Sequence, residues 1–250
     1  MSISHFITTF FQESRKRIIR RCRHYLELNA RKTLEKNTEL WKVIEEQRKR
    51  SQSTGCSYID YLFLYNYIRT HKPLEVLECG TGISTVVMAY ALLENEKEGN
   101  HQGRITSMEE NEEWFKKALI NMPDSLKKYV DCVLSPVVED HYAFFRELRY
   151  RDIPKRPYDL VFVDGPKTRN ARYPVKTFDF DFIWVVSQSP RPVFCILDLR
   201  LSTFFVLREV FGREKARFDE WRSLCFIGPC SLSDLKSTNE IVSEHISEFR

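Results

Sequence analysis

Between residues 74 and 227 the chain alternates short apolar runs with amphipathic segments, and this alternation restricts the fold more than any other feature. The runs at 74–79, 104–109, 130–134, 158–163, 193–197 and 224–227 read as strands, four to six residues long and bounded by polar or Gly/Pro breaks. Between them, helical spacing begins near Ser84 and continues through Val86, Val87, Ala89, Ala91 and Leu93. It returns after Asn111, a side chain suited to capping the helix that carries Trp114, Phe115, Ala118 and Leu119. The segments 141–149, 178–186 and 203–211 also read as helices. Strands separated by helices predict an α/β domain, a doubly wound, mostly parallel sheet covered on both faces.

Residues 3–50 hold no Gly or Pro, and Ile18, Cys22, Tyr25 and Leu26, then Leu34, Trp41 and Ile44, recur between charges at helical spacing. They predict one or two amphipathic helices and a division into a basic helical extension over 1–57 and a domain over 58–250. Residues 1–50 contain 13 Lys and Arg against 6 Glu, so the extension is strongly basic while the net charge of the whole chain is only +4. The main domain lacks the positive excess of a nucleic-acid binder, so no nucleic acid is expected as a partner. The apolar stripe of the extension suits packing on the domain or on a second copy in a homo-oligomer. Phe6, Phe10 and Phe11, leading into basic residues, suit a membrane-surface contact.

No apolar run approaches the ~20 residues of a membrane span. The apolar stretch 5–11 precedes the basic cluster, the reverse of a secretory signal. Seven cysteines form an odd set, and Cys225 and Cys230 match no zinc spacing. Reduced thiols and a cytoplasmic location, with peripheral membrane contact as an addition, are the expectation.

In a doubly wound sheet, ligands sit beyond the carboxyl ends of the strands. The first strand is followed by Glu78-Cys-Gly80-Thr81-Gly82-Ile-Ser84-Thr85, a tight turn that aims a helix N-terminus at a ligand. The second strand ends in Glu109, placed to accept hydrogen bonds from a ribose diol. A dinucleotide turn would carry a third Gly where Thr85 stands, and Glu78 would repel a pyrophosphate. A cationic cofactor without phosphate suits these charges better, and S-adenosylmethionine is one.

These motifs resemble those of the class I S-adenosylmethionine-dependent methyltransferases, which have a Rossmann-like sheet. The run 78–85 is similar to that family's first motif, 105–109 to its second-strand acid motif, and Tyr158-Asp-Leu-Val-Phe-Val-Asp164-Gly-Pro to its fourth-strand motif. The resemblance covers roughly residues 58–227 and is nearest to small-molecule or sugar O-methyltransferases. It implies that Glu78, Gly80, Thr81, Gly82, Ser84 and Thr85 surround the methionine part of S-adenosylmethionine, that Glu109 holds the ribose, and that Ser135 meets the adenine.

Asp164 and Lys167 form a D-x-x-K pattern that resembles the catechol-type enzymes, where the Asp holds a divalent metal and the Lys is the base. Asp198 matches the strand-five acid of that group, but Leu199 stands where its second ligand would be, and two carboxylates make a poor magnesium cage. No metal site is predicted. Asp164, Lys167 and Asp198 are the candidate catalytic residues, with Asp164 also beside the cofactor; a salt bridge from Asp198 to Arg200 is the structural alternative. His141 reads as a surface or capping residue, and Arg172 and Lys176 as loop charges open to an acidic substrate. The predicted activity is methyl transfer to an oxygen of a small-molecule or sugar acceptor. A catalytically silent cofactor-binding scaffold and a dinucleotide oxidoreductase are the alternatives.

Overall fold

A computed structural model describes residues 3–50, 56–99, 101–166, 169–170, 173–176 and 178–247 of the 250-residue chain. Eight helices run as α1 Ile3–Lys36, α2 Thr38–Arg50, α3 Tyr58–His71, α4 Ile83–Gly99, α5 Glu112–Asn121, α6 Asp181–Gln188, α7 Leu201–Phe211 and α8 Thr238–Ser247. The strands are β1 Glu75–Cys79, β2 Arg104–Glu109, β3 Val130–Leu134, β4 Val137–Tyr142, β5 Phe145–Tyr150, β6 Leu160–Val163, β7 Arg169–Asn170, β8 Tyr173–Lys176, β9 Val193–Asp198, β10 Ala216–Asp219 and β11 Leu224–Cys230.

Seven strands form one sheet in the order β3-β2-β1-β6-β9-β11-β10. Pairing is parallel from β3 to β9, and β11 alone runs against its neighbours. The expected doubly wound α/β fold is therefore present. From β1 the chain winds outward through β2 to β3, then returns to the other side of β1 and winds through β6 to β9. The order reverses between β1 and β6, and a crevice opens at such a point beyond the carboxyl ends of the strands. Cys79 is in register with Val163, so the next residues, Gly80 and Asp164, face each other across it.

Alternation along the buried strands divides the core between the two faces. Val76, Leu160, Phe162, Ile196 and Phe226 pack with Leu64 and Ile68 of α3 and Val86, Met88 and Leu92 of α4. Leu77, Val161, Val163, Leu197 and Cys225 point the other way, onto Phe182 and Val186 of α6 and Leu207 and Phe211 of α7. A third cluster joins Leu34, Leu40 and Ile44 of the first two helices to Tyr61, Ile83 and Val87. Leu40 and Ile44 are completely buried, and burying such a side chain contributes about 1.5–3 kcal/mol. The carboxylate of Glu27 on α1 also accepts hydrogen bonds from the Tyr58 and Ile59 N–H groups (2.9 and 3.1 Å), tying α1 to the start of α3.

One predicted helix is a hairpin. Residues 141–149 lie in β4 and β5, paired antiparallel about Ala143 and Phe144, with Ala143 at φ +54°. Buried Leu148 and Tyr150 flank half-buried Arg149, a period of two, and Arg149 bonds Asp140 across the strands (2.6 Å). His141 is exposed on this hairpin and does not start a helix. The hairpin also delays α6, expected from 178. Leu148 N–H donates to Phe178 O (3.1 Å) and Phe180 N–H to Leu148 O (2.7 Å), so Asp179 bridges Leu148 in parallel and the helix starts only at Asp181.

Candidate active site

The turn after β1 is shaped by what it must pass. Gly80 has φ +98°, and a Cβ there would lie 2.7 Å from the Gly165 nitrogen. In return, a Cβ on Gly165 would lie 2.6 Å from the Gly80 Cα and 2.9 Å from the Tyr150 hydroxyl. The N–H groups of Asp164 and Gly165 both donate to Cys79 O (2.9 and 2.5 Å). The glycine was expected to allow close approach of a ligand; its missing side chain admits the loop after β6. That contact fixes the two sides of the crevice against each other.

Below the turn lies a buried network. Glu78 is wholly buried, and its carboxylate accepts from the hydroxyls of Ser84 (2.6 Å), Thr85 (2.5 Å) and Ser107 (2.7 Å). Burial pushes its pKa up to about 7 against the lowering effect of these three bonds. Thr85 also accepts from the Gly82 N–H (3.0 Å). Glu78, Ser84 and Thr85, expected around the cofactor, are thus placed as supports that hold the turn from inside. Gly80, Thr81 and Gly82 are half-buried and form its outer surface.

Glu109 ends β2 beside this surface, 6% exposed. Its carboxylate accepts from the Asn111 N–H (2.9 Å) and, at longer range, from the Thr81 N–H (3.4 Å). Burial raises its pKa. Ser135 corrects the expectation of an adenine contact. It is completely buried, and its hydroxyl accepts from the Asp152 N–H (2.9 Å) and donates to Pro136 O (3.2 Å), so it anchors the chain entering and leaving the hairpin. Trp114, Gln47, Lys117 and Thr81 line a small pocket beside Gly82.

Across the crevice, Asp164 and Asp198 come together from the ends of β6 and β9. Burial first, and then the charge of Asp164, push Asp198 up to about 6. Asp164 is raised too, chiefly by burial and partly offset by the Arg200 guanidinium. The Cys56 thiol donates to Asp164 Oδ2 (3.6 Å). Asp60, on the first turn of α3, completes the group and is likewise pushed up to about 6 by burial and by Asp198. Arg23 of α1 opposes both upward shifts, so the basic extension contributes charge to this site.

The alternative salt bridge from Asp198 to Arg200 does not form. Arg200 instead pairs with buried Asp179 (2.8 Å) and donates to Pro166 O (2.8 Å) and Asp164 O, clamping the loop after β6. Lys167 and Arg172 lie outside the described residues, as do the side chains of Lys176, Phe6, Phe10 and Phe11. Sequence reading missed Cys56, Asp60, Arg23, Arg200 and Asp179 as parts of this site. Only Arg200 carried a signal, its place two residues beyond a strand-end acid. A cavity of about 530 Å³ also exists, but it opens beside Phe194 near the start of β9, not at Asp198 at its end.

The donor set suits S-adenosylmethionine. Glu78, Glu109, Asp164 and Asp198 make the crevice acidic, which favours a sulfonium and an ammonium and disfavours a pyrophosphate. Residues 77–187, from β1 through α6, match a family model described as a methyltransferase domain. No curated protein matches the sequence. Among solved structures, the chain is similar to the precorrin-6y C5,15-methyltransferase of Geobacter metallireducens (16% identity, 68% of this chain and 76% of that one, TM-score 0.42). It is also similar to a Listeria monocytogenes protein described as a class I S-adenosylmethionine-dependent methyltransferase (12% identity, 89% and 78% covered, TM-score 0.47). A third is the plantazolicin methyltransferase BamL in complex with a triazolic desmethylPZN analog and SAH (15% identity, 92% and 73% covered, TM-score 0.33). The β1–β6 switch point and its crevice thus lie within the stretch that matches a methyltransferase domain.

Proposed function

We propose that the chain transfers the methyl group of S-adenosylmethionine to an oxygen of a small-molecule or sugar acceptor. The observation that carries this reading is the Asp164–Asp198 pair, two interacting carboxyls at the ends of β6 and β9 beside the glycine turn, with Asp198 pushed up to about 6. Methyl transfer to oxygen needs the nucleophile aligned with the methyl group and the hydroxyl proton accepted as the bond forms. A base whose pKa is near neutrality suits that work better than an ordinary carboxylate.

S-adenosylmethionine supplies an activated methyl cation equivalent. The outer surface of Gly80–Gly82 and the N-terminus of α4 would hold its amino-acid end, and Glu109 its ribose. Asp198 would accept the acceptor's proton, and Asp164 would hold Asp198 in place. Arg200, by fixing the carbonyls of Asp164 and Pro166, positions that carboxyl without touching substrate. The acidic walls favour neutral or cationic acceptors over acidic ones. Seven free cysteines, four of them buried, support a reducing cytoplasmic setting. Among the described residues no helix is long and apolar enough to cross a membrane.

The test is transfer of radiolabelled methyl from S-adenosylmethionine to a panel of sugars, phenols and other small hydroxyl compounds. Transfer that falls by about 10²–10⁴-fold in Asp198→Asn, the usual contribution of a general base, with cofactor affinity unchanged, is the expected result. A chain that binds the cofactor and methylates nothing, or whose Asp198→Asn variant is fully active, would contradict it and favour a silent scaffold.

A further inference from the structure

Where α3 begins, three potential ligands converge from two distant parts of the chain. Cys56 Sγ and carboxylate oxygens of Asp60 and Asp198 all lie within 4.8 Å of one another. Asp60 is 1% exposed, and its two oxygens differ in their surroundings. Its Oδ2 accepts from the Ser57 N–H (2.6 Å) and hydroxyl (2.7 Å) and so caps α3. Its Oδ1 is buried with no hydrogen-bond partner. A buried carboxylate oxygen without a donor is costly unless a cation meets it, and the Asp60 carboxylate belongs to a group that already contains a thiol and a second carboxyl.

We propose that Cys56, Asp60 and Asp198 form a binding site for one divalent ion of the zinc class. The thiol sets the preference. A sulfur ligand favours zinc and similar first-row ions over magnesium or calcium, which take oxygen alone. Three protein ligands leave a fourth, open position, the pattern of catalytic rather than structural zinc. Tetrahedral ligands about 2.0–2.3 Å from a common ion are roughly 3.3–3.8 Å apart, a spacing that atoms within 4.8 Å of one another can meet with little movement. The ion replaces the thiol proton, which leaves to solvent, and one Cys56–metal bond forms.

This set differs from the D-x-x-K pattern. Two of its three members stand before residue 77, outside the stretch that matches a methyltransferase domain. Asp164 accepts the Cys56 thiol's hydrogen bond and so lies beside this set (3.6 Å). With an ion bound, Asp198 would serve as its ligand rather than as the base, and the ion itself would draw in an oxygen of the acceptor; that role rests on the methyl-transfer reading, whereas the site itself does not.

The test uses the purified full-length chain, stripped with a chelator and titrated calorimetrically with Zn²⁺, with Co²⁺ as an optical probe. The expected result is one ion per chain and a sulfur-to-cobalt charge-transfer band. Cys56→Ser removes the band, Cys22→Ser keeps it, and Asp60→Asn weakens Zn²⁺ binding by roughly tenfold or more. Asp198→Asn, on a different element, must weaken it too, which protects the test if the Asp60 variant fails to fold. No uptake by the folded chain, or a band that survives Cys56→Ser, would overturn the site. A parallel titration with S-adenosylhomocysteine separates the two readings: cofactor binding without metal uptake removes the metal site alone, and metal uptake without cofactor binding removes the methyl-transfer reading alone.

Discussion

Replacing Gly80 with alanine perturbs the crevice where it is tightest. An added methyl at φ +98° would lie 2.7 Å from the Gly165 nitrogen, 3.0 Å from its Cα and 3.2 Å from the Asp164 carbonyl carbon. These are backbone atoms, tied to Cys79 O by two hydrogen bonds and held from the other side by Arg200. None can turn aside as a side-chain tip would. The disfavoured backbone conformation costs about 1–3 kcal/mol, and overpacking costs about 1–3 kcal/mol more. For a chain of this size, each kcal/mol lowers Tm by roughly 2–4 °C. The variant should therefore melt roughly 5–20 °C below the wild type in scanning calorimetry. Gly99→Ala is the control, because a methyl there meets nothing within 4 Å; its change should be no more than about 1 kcal/mol, in the stabilising direction. A Gly80→Ala melt inside the control's range would mean that the β1 turn and the β6 loop are not in contact, and the crevice as described would be wrong.

Other perturbations probe separate parts of the account. Glu109→Ala should weaken S-adenosylhomocysteine binding by about 1–3 kcal/mol, the cost of stranding hydrogen-bond partners; calorimetry showing equal affinity would remove Glu109 from the ribose position. Arg200→Met should destabilise the fold by about 3–5 kcal/mol, because it leaves buried Asp179 as an unpaired charge. Adding Asp179→Asn should recover part of that loss in urea unfolding, and no recovery would count against the clamp. Asp181 is fully buried and pushed up to about 8, so it stays neutral in the fold while the unfolded chain ionises. A raised carboxyl costs stability as pH rises from about 4, and the loss levels off above the folded value near 8. Asp181→Asn, which keeps an acceptor for the Tyr150 N–H, should flatten this pH dependence between about pH 5 and about pH 8; an unchanged slope would locate the titration elsewhere.

The central sheet was legible because its strands are buried on both faces and so stand out as continuous apolar runs. The expected strand 104–109 coincides with β2 and 130–134 with β3, and Asn111 caps α5 as expected, accepting from the Glu113 and Trp114 N–H groups. The hairpin was not legible in the same way. Its ion pairs, Asp140 with Arg149 and Glu139 with Arg146, join residues nine and seven apart, and no Gly, Pro or Asn marks the turn at Ala143 and Phe144. What separates the alternatives is the pairing of Leu148 with 178–180, a contact between distant segments.

The site divides along the same line. The place of Gly80, Gly82, Glu109, Asp164 and Asp198 beside the crevice was legible because strand ends mark it in any doubly wound sheet. Residue type alone did not show which way each side chain faces. Glu78 turned out to lie under the turn with three hydroxyl donors, and Ser135 to anchor the hairpin. Cys56 and Asp60 were invisible because they reach Asp198 only after α3 packs beside the sheet. Arg23 carries no mark of its own within the basic extension, and α1 brings it to the acidic cluster.

The central claim is that the crevice between β1 and β6 takes S-adenosylmethionine. Isothermal titration of the purified chain with S-adenosylhomocysteine, with NADH in parallel, addresses it most directly. The account predicts one site for S-adenosylhomocysteine in the micromolar range and no heat from NADH. Binding of NADH, or silence from both ligands with a folded chain, would contradict it.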